Sequence, residues 1–378
     1  MKNVFKKIVA TALAVSVMTA CAFSLASCSK SDLGFKDNTI KIGATGPLTG
    51  DAALYGTSVM NGALLAVEHL NQKGGIQFSF DIKDDQATSA AAATNYDTLY
   101  EDGMQVSLGG VTSGSGEAFA TKAVLDKVFC MTPSGSADPV INTGKYSFRL
   151  CFGDPDQGKL AVEKIIEAGY TNVGALYDSS DSYSSGIFDA FEKAMAAAEK
   201  TFVKKSFTSE TTDFSSYAEE LKDCDVIFMP FYYQKASLVA QALTQKGSDA
   251  VLFGCDGFDG IADYLNGVTN KVMYITPFNA NSDDAKVKEF VEAYEARFGK
   301  TPDQFAADAY DVVMAIAAAI EKAGITDANI SAAELGEKLV EVFTSEDFTF
   351  DGLTGSGMTW DARGACTKDP QMVELNYQ

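Results

Sequence analysis

Two turns in this 378-residue chain concentrate hydroxyls and backbone amides without any fixed charge. The first, 110–116, reads Gly-Val-Thr-Ser-Gly-Ser-Gly directly after an apolar strand ending near Leu108. The second, 132–136, reads Thr-Pro-Ser-Gly-Ser after the apolar run Val128-Phe129-Cys130-Met131. In an open parallel sheet, ligands bind beyond the carboxyl ends of the strands, and helix N-termini there offer free N–H groups to anions. Ser113, Ser134 and Ser136 are therefore placed to surround a small carboxylate. Gly and Ser are equally at home in ordinary strand-to-helix turns, so the residues alone leave both readings open.

Catalytic chemistry is hard to assemble from the rest. The one histidine, His69, sits inside a helical pattern between Glu68 and Leu70, and no G-x-S-x-G elbow occurs, so neither a Ser-His-Asp nor a Cys-His mechanism has its parts. Gly299-Lys300-Thr301 looks like the end of a phosphate-binding loop, but Tyr294 stands where the first glycine is required and a helix precedes it where the motif needs a strand. It reads as a helix C-cap and a turn. Asp84-Asp85 has no companion ligands and reads as a solvated strand end. The expectation is a non-enzyme with no cofactor and no metal. Apart from Cys21 and Cys28, the cysteines (130, 151, 224, 255 and 366) are widely spaced and odd in number. They make neither a disulfide framework nor a metal site and read as mostly buried small hydrophobes.

The elements that must hold the two turns alternate. Ile40 and Ile42 mark a strand. Met60, Leu64, Val67 and Leu70 share a helical face that stops at Gly74-Gly75, and further strands fall at 78–82 and 106–108. After Gly158 the alternation repeats: helices over 160–168, 187–198 and 236–245, strands over 173–177, 226–229 and 251–253. Such runs mean parallel sheets with helices on both faces, and two of them, at this length and 46% apolar residues, predict two α/β lobes. Helices follow at 287–298, 305–323 and 331–343, the last opened by the capping pair Ser331 and Glu334. A net charge of −21 repels phosphate backbones, so nucleic acid is not expected as a partner.

The order of several motifs is more specific. Ile42-Gly43-Ala44-Thr45-Gly46-Pro47-Leu48-Thr49-Gly50 opens the series, followed by Tyr55-Gly56, Gly62-Ala63, Gly74-Gly75-Ile76, Asp84-Asp85-Gln86, Thr112-Ser113-Gly114 and Pro133-Ser134-Gly135-Ser136. The segment 178–186, Tyr232-Tyr233, Gly254-Cys255-Asp256-Gly257, Ala309-Tyr310-Asp311 and Gly352-Leu353-Thr354-Gly355 continue it. This series resembles the leucine/isoleucine/valine-binding proteins, the type I solute-binding proteins of ABC importers. The resemblance implies two doubly wound parallel-sheet lobes joined by a three-segment hinge. It divides the chain into 39–151 plus 279–350 for the first lobe and 152–278 plus 351–378 for the second, with crossings near 150–154, 277–279 and 350–352.

Carried over residue by residue, the resemblance implies that Ser113, Ser134 and Ser136 hold a ligand α-carboxylate and Asp256 its α-ammonium. Tyr183 and Tyr232 surround the ammonium and side chain, while Tyr55, Val111 and Thr112 wall the side-chain pocket. Asp256 is one methylene shorter than the glutamate common in the family, and Ser134 and Ser136 replace the usual alanine and threonine. The implied function is capture of an amino acid, branched-chain or otherwise apolar, by a monomer that delivers it to ABC permease subunits. A ligand-sensing subunit of the same fold, or an amide, nucleoside or aromatic acid as ligand, is the alternative.

The N-terminus fits an exported protein. Lys2, Lys6 and Lys7 precede an apolar stretch over 8–26, the pattern of an export signal, and Leu25-Ala26-Ser27-Cys28 resembles the lipobox of bacterial lipoproteins. The resemblance implies a signal peptide over 1–27, a diacylglyceryl group on Cys28, a flexible tether over 28–38, and an extracytoplasmic protein held at the cell membrane by lipid alone. Removing the three leader lysines takes the net charge from −21 to −24.

Overall fold

The computed structural model describes residues 38–375. The leader and the Cys28 lipidation site lie outside the described residues. Strands β1 (Thr39–Gly46), β2 (Gln77–Asp84), β3 (Val106–Gly110), β4 (Phe129–Thr132) and β5 (Ser147–Arg149) form one sheet in the order β2-β1-β3-β4-β5, all parallel. A second sheet runs β11-β10-β9-β8-β6-β7, from β6 (Val173–Asp178), β7 (Val203–Phe207), β8 (Val226–Met229), β9 (Val251–Gly254), β10 (Val272–Thr276) and β11 (Gln371–Glu374). Its edge strand β11 is antiparallel to β10, a departure from the all-parallel expectation. Between β10 and β11 the chain runs through α9, α10 and α11 before it returns to this sheet.

The helices are α1 (Ala53–Lys73), α2 (Ser89–Glu101), α3 (Ser113–Leu125), α4 (Asp138–Ile141), α5 (Asp154–Glu167), α6 (Ser182–Ala197), α7 (Ser215–Leu221), α8 (Tyr233–Gln245), α9 (Ala285–Phe298), α10 (Gln304–Lys322) and α11 (Ala332–Phe343). Among the described residues none is long and apolar enough to cross a membrane. The long α1 packs along α10. At the crossing a side chain on Gly62 would run into the Ala306 carbonyl, so the two backbones touch there. Ser331 Oγ accepts from the Glu334 amide at 3.2 Å, the cap read from the sequence. The Gly299 backbone is left-handed at φ 71°, ending α9 as a C-cap.

The chain passes between the sheets three times: after β5, after β10 and ahead of β11. The last passage is tied to the first sheet's side. Trp360 packs edge-on against Phe343 at 4.9 Å, and its Nε1–H donates to the Arg149 carbonyl at 2.9 Å. A buried ion pair joins Lys368 Nζ to Asp308 Oδ1 of α10 at 2.7 Å. One apolar core spans the first sheet and one face of the second, while Phe188, Phe191, Phe228 and Phe253 fill the other face.

Two readings of the sequence change. Asp85 is fully buried, its Oδ1 accepting the Ala87 amide at 2.9 Å, so the acid pair is not a solvated strand end. Only Asp84 behaves as a loop acid, accepting from the Leu48 and Gln86 amides. Helices α5 and α6 begin at Asp154 and Ser182, earlier than the 160 and 187 expected from apolar spacing. The cysteines at 130, 151, 224 and 255 are buried and Cys366 is half-buried, all as free thiols.

Candidate functional site

Strands β3 and β4 each lead through a short turn into a helix, α3 and α4, and the two hydroxyl-rich segments lie in those turns. At the end of β3 the register with β1 shifts and Gly109 takes φ +68°, a conformation that costs glycine nothing. A side chain on Gly110 would collide with the backbone of Ser115 and Gly116. The chain therefore folds tightly back into α3, whose first turn points its free N–H groups into the gap. Ser113 Oγ accepts from the Ala137 amide at 3.2 Å, and Ser134 Oγ donates to the Val111 carbonyl at 2.7 Å. These hydroxyls thus lock the β3–α3 and β4–α4 turns together; Ser134 spends its proton on Val111, while the Ser113 O–H and the backbone amides of α3's first turn remain to meet an anion.

Opposite stands Asp256, at the start of a short 3-10 turn after β9. It is 4% exposed, and its Oδ1 accepts from Tyr183 O–H at 2.6 Å and from the Gly257 amide at 3.0 Å. Its backbone N–H donates to Gln157 Oε1 at 3.0 Å, and its carbonyl accepts from Gln304 Nε2 at 2.8 Å. Burial pushes the Asp256 carboxyl up to about 6, against the pull of hydrogen bonds from Tyr183, Gln157 and the Gly257 amide. A buried carboxylate in that state gains most from a cationic partner.

Eight of the nine residues singled out from the sequence line one cavity: Tyr55, Val111, Thr112, Ser113, Ser134, Tyr183, Tyr232 and Asp256. The ninth, Ser136, is fully buried beside them and off the wall. Its carbonyl accepts from the Asp154 amide at 3.1 Å and from Arg149 Nη1 at 2.7 Å. Gly257 and Phe305 complete the wall and were not among the expected residues. Gly257 contributes backbone, which leaves no side-chain signature, and an aromatic in a helix's first turn reads as core. Tyr183 and Tyr232 stack at 4.9 Å with planes 8° apart, and Tyr55 lies against Phe305 at 4.2 Å.

The space left between these rings is about 10 Å³, barely room for one water. A larger occupant needs the two sheets to part or the tyrosines to turn. Much larger is a groove of about 890 Å³ between the start of α4 and the α5–α6 pair, and Asp154 and Ser182 form part of its wall. The small cavity is where the convergent polar groups are, and the groove's size alone gives it no chemistry. Among the described residues no cluster of three metal-type side chains occurs.

A model of a periplasmic binding protein family matches residues 39–376. The leucine-, isoleucine-, valine-, threonine-, and alanine-binding protein of Pseudomonas aeruginosa is 30% identical over 336 residues, covering 86% of this chain and 87% of that protein. Among solved structures, the branched-chain amino acid transporter substrate binding protein LivJ of Streptococcus pneumoniae, in complex with isoleucine, has a TM-score of 0.80 at 28% identity, covering 89% of this chain and 96% of that one. A benzoate-bound solute binding protein of an ABC transporter from R. palustris also reaches a TM-score of 0.80, covering 89% and 93%. At 21% identity it speaks to the fold alone. These similar proteins are binders of small solutes, not enzymes.

Proposed function

The chain belongs to the periplasmic binding protein family, and from that premise we propose that it is an extracytoplasmic lipoprotein that captures an apolar, branched-chain-type amino acid and delivers it to an ABC importer. The observation that carries this reading is the single cavity in which α3's N-terminus faces Asp256, with aromatic rings between them. A zwitterion matches that layout: carboxylate toward the amides around Ser113 and Ser134, ammonium toward Asp256, side chain among Tyr55, Val111 and Phe305. The Pseudomonas relative and the isoleucine-bound Streptococcus protein carry names that agree with it.

In this reading the first lobe comprises 39–151 and 279–350, and the second 152–278 and 351–378. Ligand binds between them, and the permease recognises the closed form, which alone presents both walls. Specificity is cavity shape plus paired charges, and the lipid on Cys28 keeps the monomer beside its membrane partner. The test is a thermal-shift panel of amino acids, amides, nucleosides and aromatic acids. A ligand at 100 times its dissociation constant stabilises by about 2.7 kcal/mol. A shift with leucine, isoleucine or valine supports the reading. A shift with a nucleoside or aromatic acid and with no amino acid overturns it.

A further inference from the structure

Behind the wall made by Val111, Thr112 and Ser113 lies a buried polar cluster, none of whose members lines the cavity. Its centre is Asp85, the residue after β2, which is fully buried. The Asp85 Oδ1 accepts from the Ala87 amide at 2.9 Å, and its carbonyl accepts from the Thr88 amide at 2.8 Å and from Thr88 O–H at 2.9 Å. Its Oδ2 has no hydrogen bond of regular geometry, and neither have the buried hydroxyls of Thr45, near the end of β1, and Ser115, in the first turn of α3. These three atoms belong to one another. Burial pushes the Asp85 carboxyl up, against the pull of the Ala87 amide and of the Thr45 and Ser115 hydroxyls beside it. One carboxyl thus gathers the ends of β1 and β2 and the start of α3.

The loop that presents it is strained. Gln86 and Ala87 both have left-handed backbones, at φ 50° and 56°, although neither is glycine. Strain of this kind persists only where the surroundings over-determine it, and it gathers at functional sites. Here the left-handed pair returns the Ala87 amide to the Asp85 side chain, and α2 then starts at Ser89, whose O–H donates to the Gly114 carbonyl at 2.9 Å. The segment after β2 therefore meets the first turn of α3 twice, at Gly114 and at Ser115. Thr45 carries the connection to the wall itself, since its carbonyl accepts from the Val111 amide at 3.2 Å. A side chain on the adjacent Gly46 would run into Val111, so strand and turn are in contact.

We propose that Asp85 is a positioning residue of the binding site: acting through Ser115 and Thr45, it fixes where the first turn of α3 sits, and so how the free N–H groups of that turn meet the ligand's carboxylate. This rests on the amino-acid reading above and deepens it, because the anion end of the site gains a support that never touches the ligand. A carboxyl suits the task by its geometry. It offers hydrogen-bonding positions in several directions, so one oxygen holds the Ala87 turn while the other faces two hydroxyls. An apolar residue there would leave the amide and both hydroxyls buried and unpaired. Dipoles aimed before the ligand arrives need no ordering when it binds.

The test is a double-mutant cycle read by isothermal titration of the full-length protein with L-leucine, or with isoleucine or valine where wild type prefers it. Asp85→Ala should lose at least tenfold in affinity and Ser115→Ala at least fivefold. The double variant should stay within twofold of Asp85→Ala alone, because both changes break the same contact. Asp85→Asn keeps an acceptor for the Ala87 amide and turns N–H groups toward the hydroxyls, so it should restore affinity to within threefold of wild type. Ser115→Ala leaves the Asp85 turn whole and reads the contact even where Asp85→Ala does not fold. Wild-type affinity in Ser115→Ala, or single losses that multiply in the double variant, overturns the role of Asp85 while leaving the amino-acid reading standing. Failure of wild type to bind any of the three amino acids overturns both.

Discussion

The Tyr55 hydroxyl, on a helix packed in the first lobe, donates a 2.6 Å hydrogen bond to the Gly257 carbonyl in the second. It also accepts from the Tyr233 amide at 3.2 Å. One phenol therefore bridges the gap next to Asp256, and its ring forms part of the cavity wall. Burial holds its pKa well above the ordinary tyrosine value, so it stays a donor throughout the working range.

Tyr55→Phe keeps the ring against Phe305 and removes the bridge. Two buried backbone groups then lose a partner, but only in the closed form. A lost buried hydrogen bond of this kind costs about 1–2 kcal/mol, which corresponds to roughly tenfold in affinity. Titration with leucine should show that loss, with small-angle scattering of the unliganded variant shifted toward a larger radius of gyration. Unchanged affinity and dimensions would show that the bridge has no part in closure.

The Lys368–Asp308 pair makes a stability prediction that needs no ligand. Both side chains are almost wholly buried, and Lys368 Nζ also donates to Thr354 Oγ1 at 2.6 Å. Lys368→Met leaves the Asp308 carboxylate buried without its cation, a change that costs about 3–5 kcal/mol. The double variant Lys368→Met with Asp308→Leu removes both charges and should recover most of that loss. Urea unfolding of the two variants separates them, and equal stabilities would contradict the pairing.

What could be read from the sequence followed what apolar periodicity records. The strands at 40–42, 78–82, 106–108 and 173–177 and the bodies of α1, α10 and α11 have buried stripes, and those stripes are the signal. The first turns of α5 and α6 do not: Asp154, Asp156 and Gln157, or Ser182, Ser184 and Ser185, are polar and give no apolar spacing, and the caps that precede them are Gly153 and Asp181. The motif order placed Tyr55, Ser113, Ser134, Tyr183, Tyr232 and Asp256 together. It was silent on Gly257, whose contribution is backbone, and on Phe305, whose ring lies on a helix that is otherwise core. Asp85 read as a surface acid because nothing local says that a carboxylate is buried. That depends on which helix lands on it.

Asp259 and Asp303 give a pH dependence. Asp259 Oδ2 accepts from the Gln304 amide at 2.8 Å and its Oδ1 from Tyr274 O–H at 3.1 Å, while Asp303 caps α10 and accepts from Ser58 O–H at 2.6 Å. Burial and the nearby Asp303 carboxylate push Asp259 up to about 7, and Asp303 is raised by burial despite Lys300. Between the unfolded value near 4 and this folded one the native state binds more protons. Stability from this group therefore falls as pH rises through that window and levels off above it. Asp259→Asn should be more stable than wild type at pH 8, with the gap closing toward pH 4. Urea unfolding at both pH values checks the sign. A gap that widens as pH falls would be the wrong one.

Asp256→Asn tests the acid at the centre of the site. The amide keeps the shape and can still accept from Tyr183 O–H or from the Gly257 amide, so the fold should persist. What is lost is the charge that meets an ammonium, and a charge-assisted hydrogen bond contributes about 1.5–3 kcal/mol, so leucine affinity should fall by roughly 10- to 150-fold at pH 8. The pH course distinguishes charge from shape. Burial holds Asp256 at about 6, opposed by Tyr183, Gln157 and the Gly257 amide and reinforced by the Asp308 charge. Above that pH wild type offers a carboxylate. Below it a proton must first be removed, so wild type's advantage over the asparagine variant should shrink about tenfold for each pH unit below 6. Titrations of both proteins from pH 5 to 8 read the ratio directly. A constant ratio across that range would mean that Asp256 acts by shape alone.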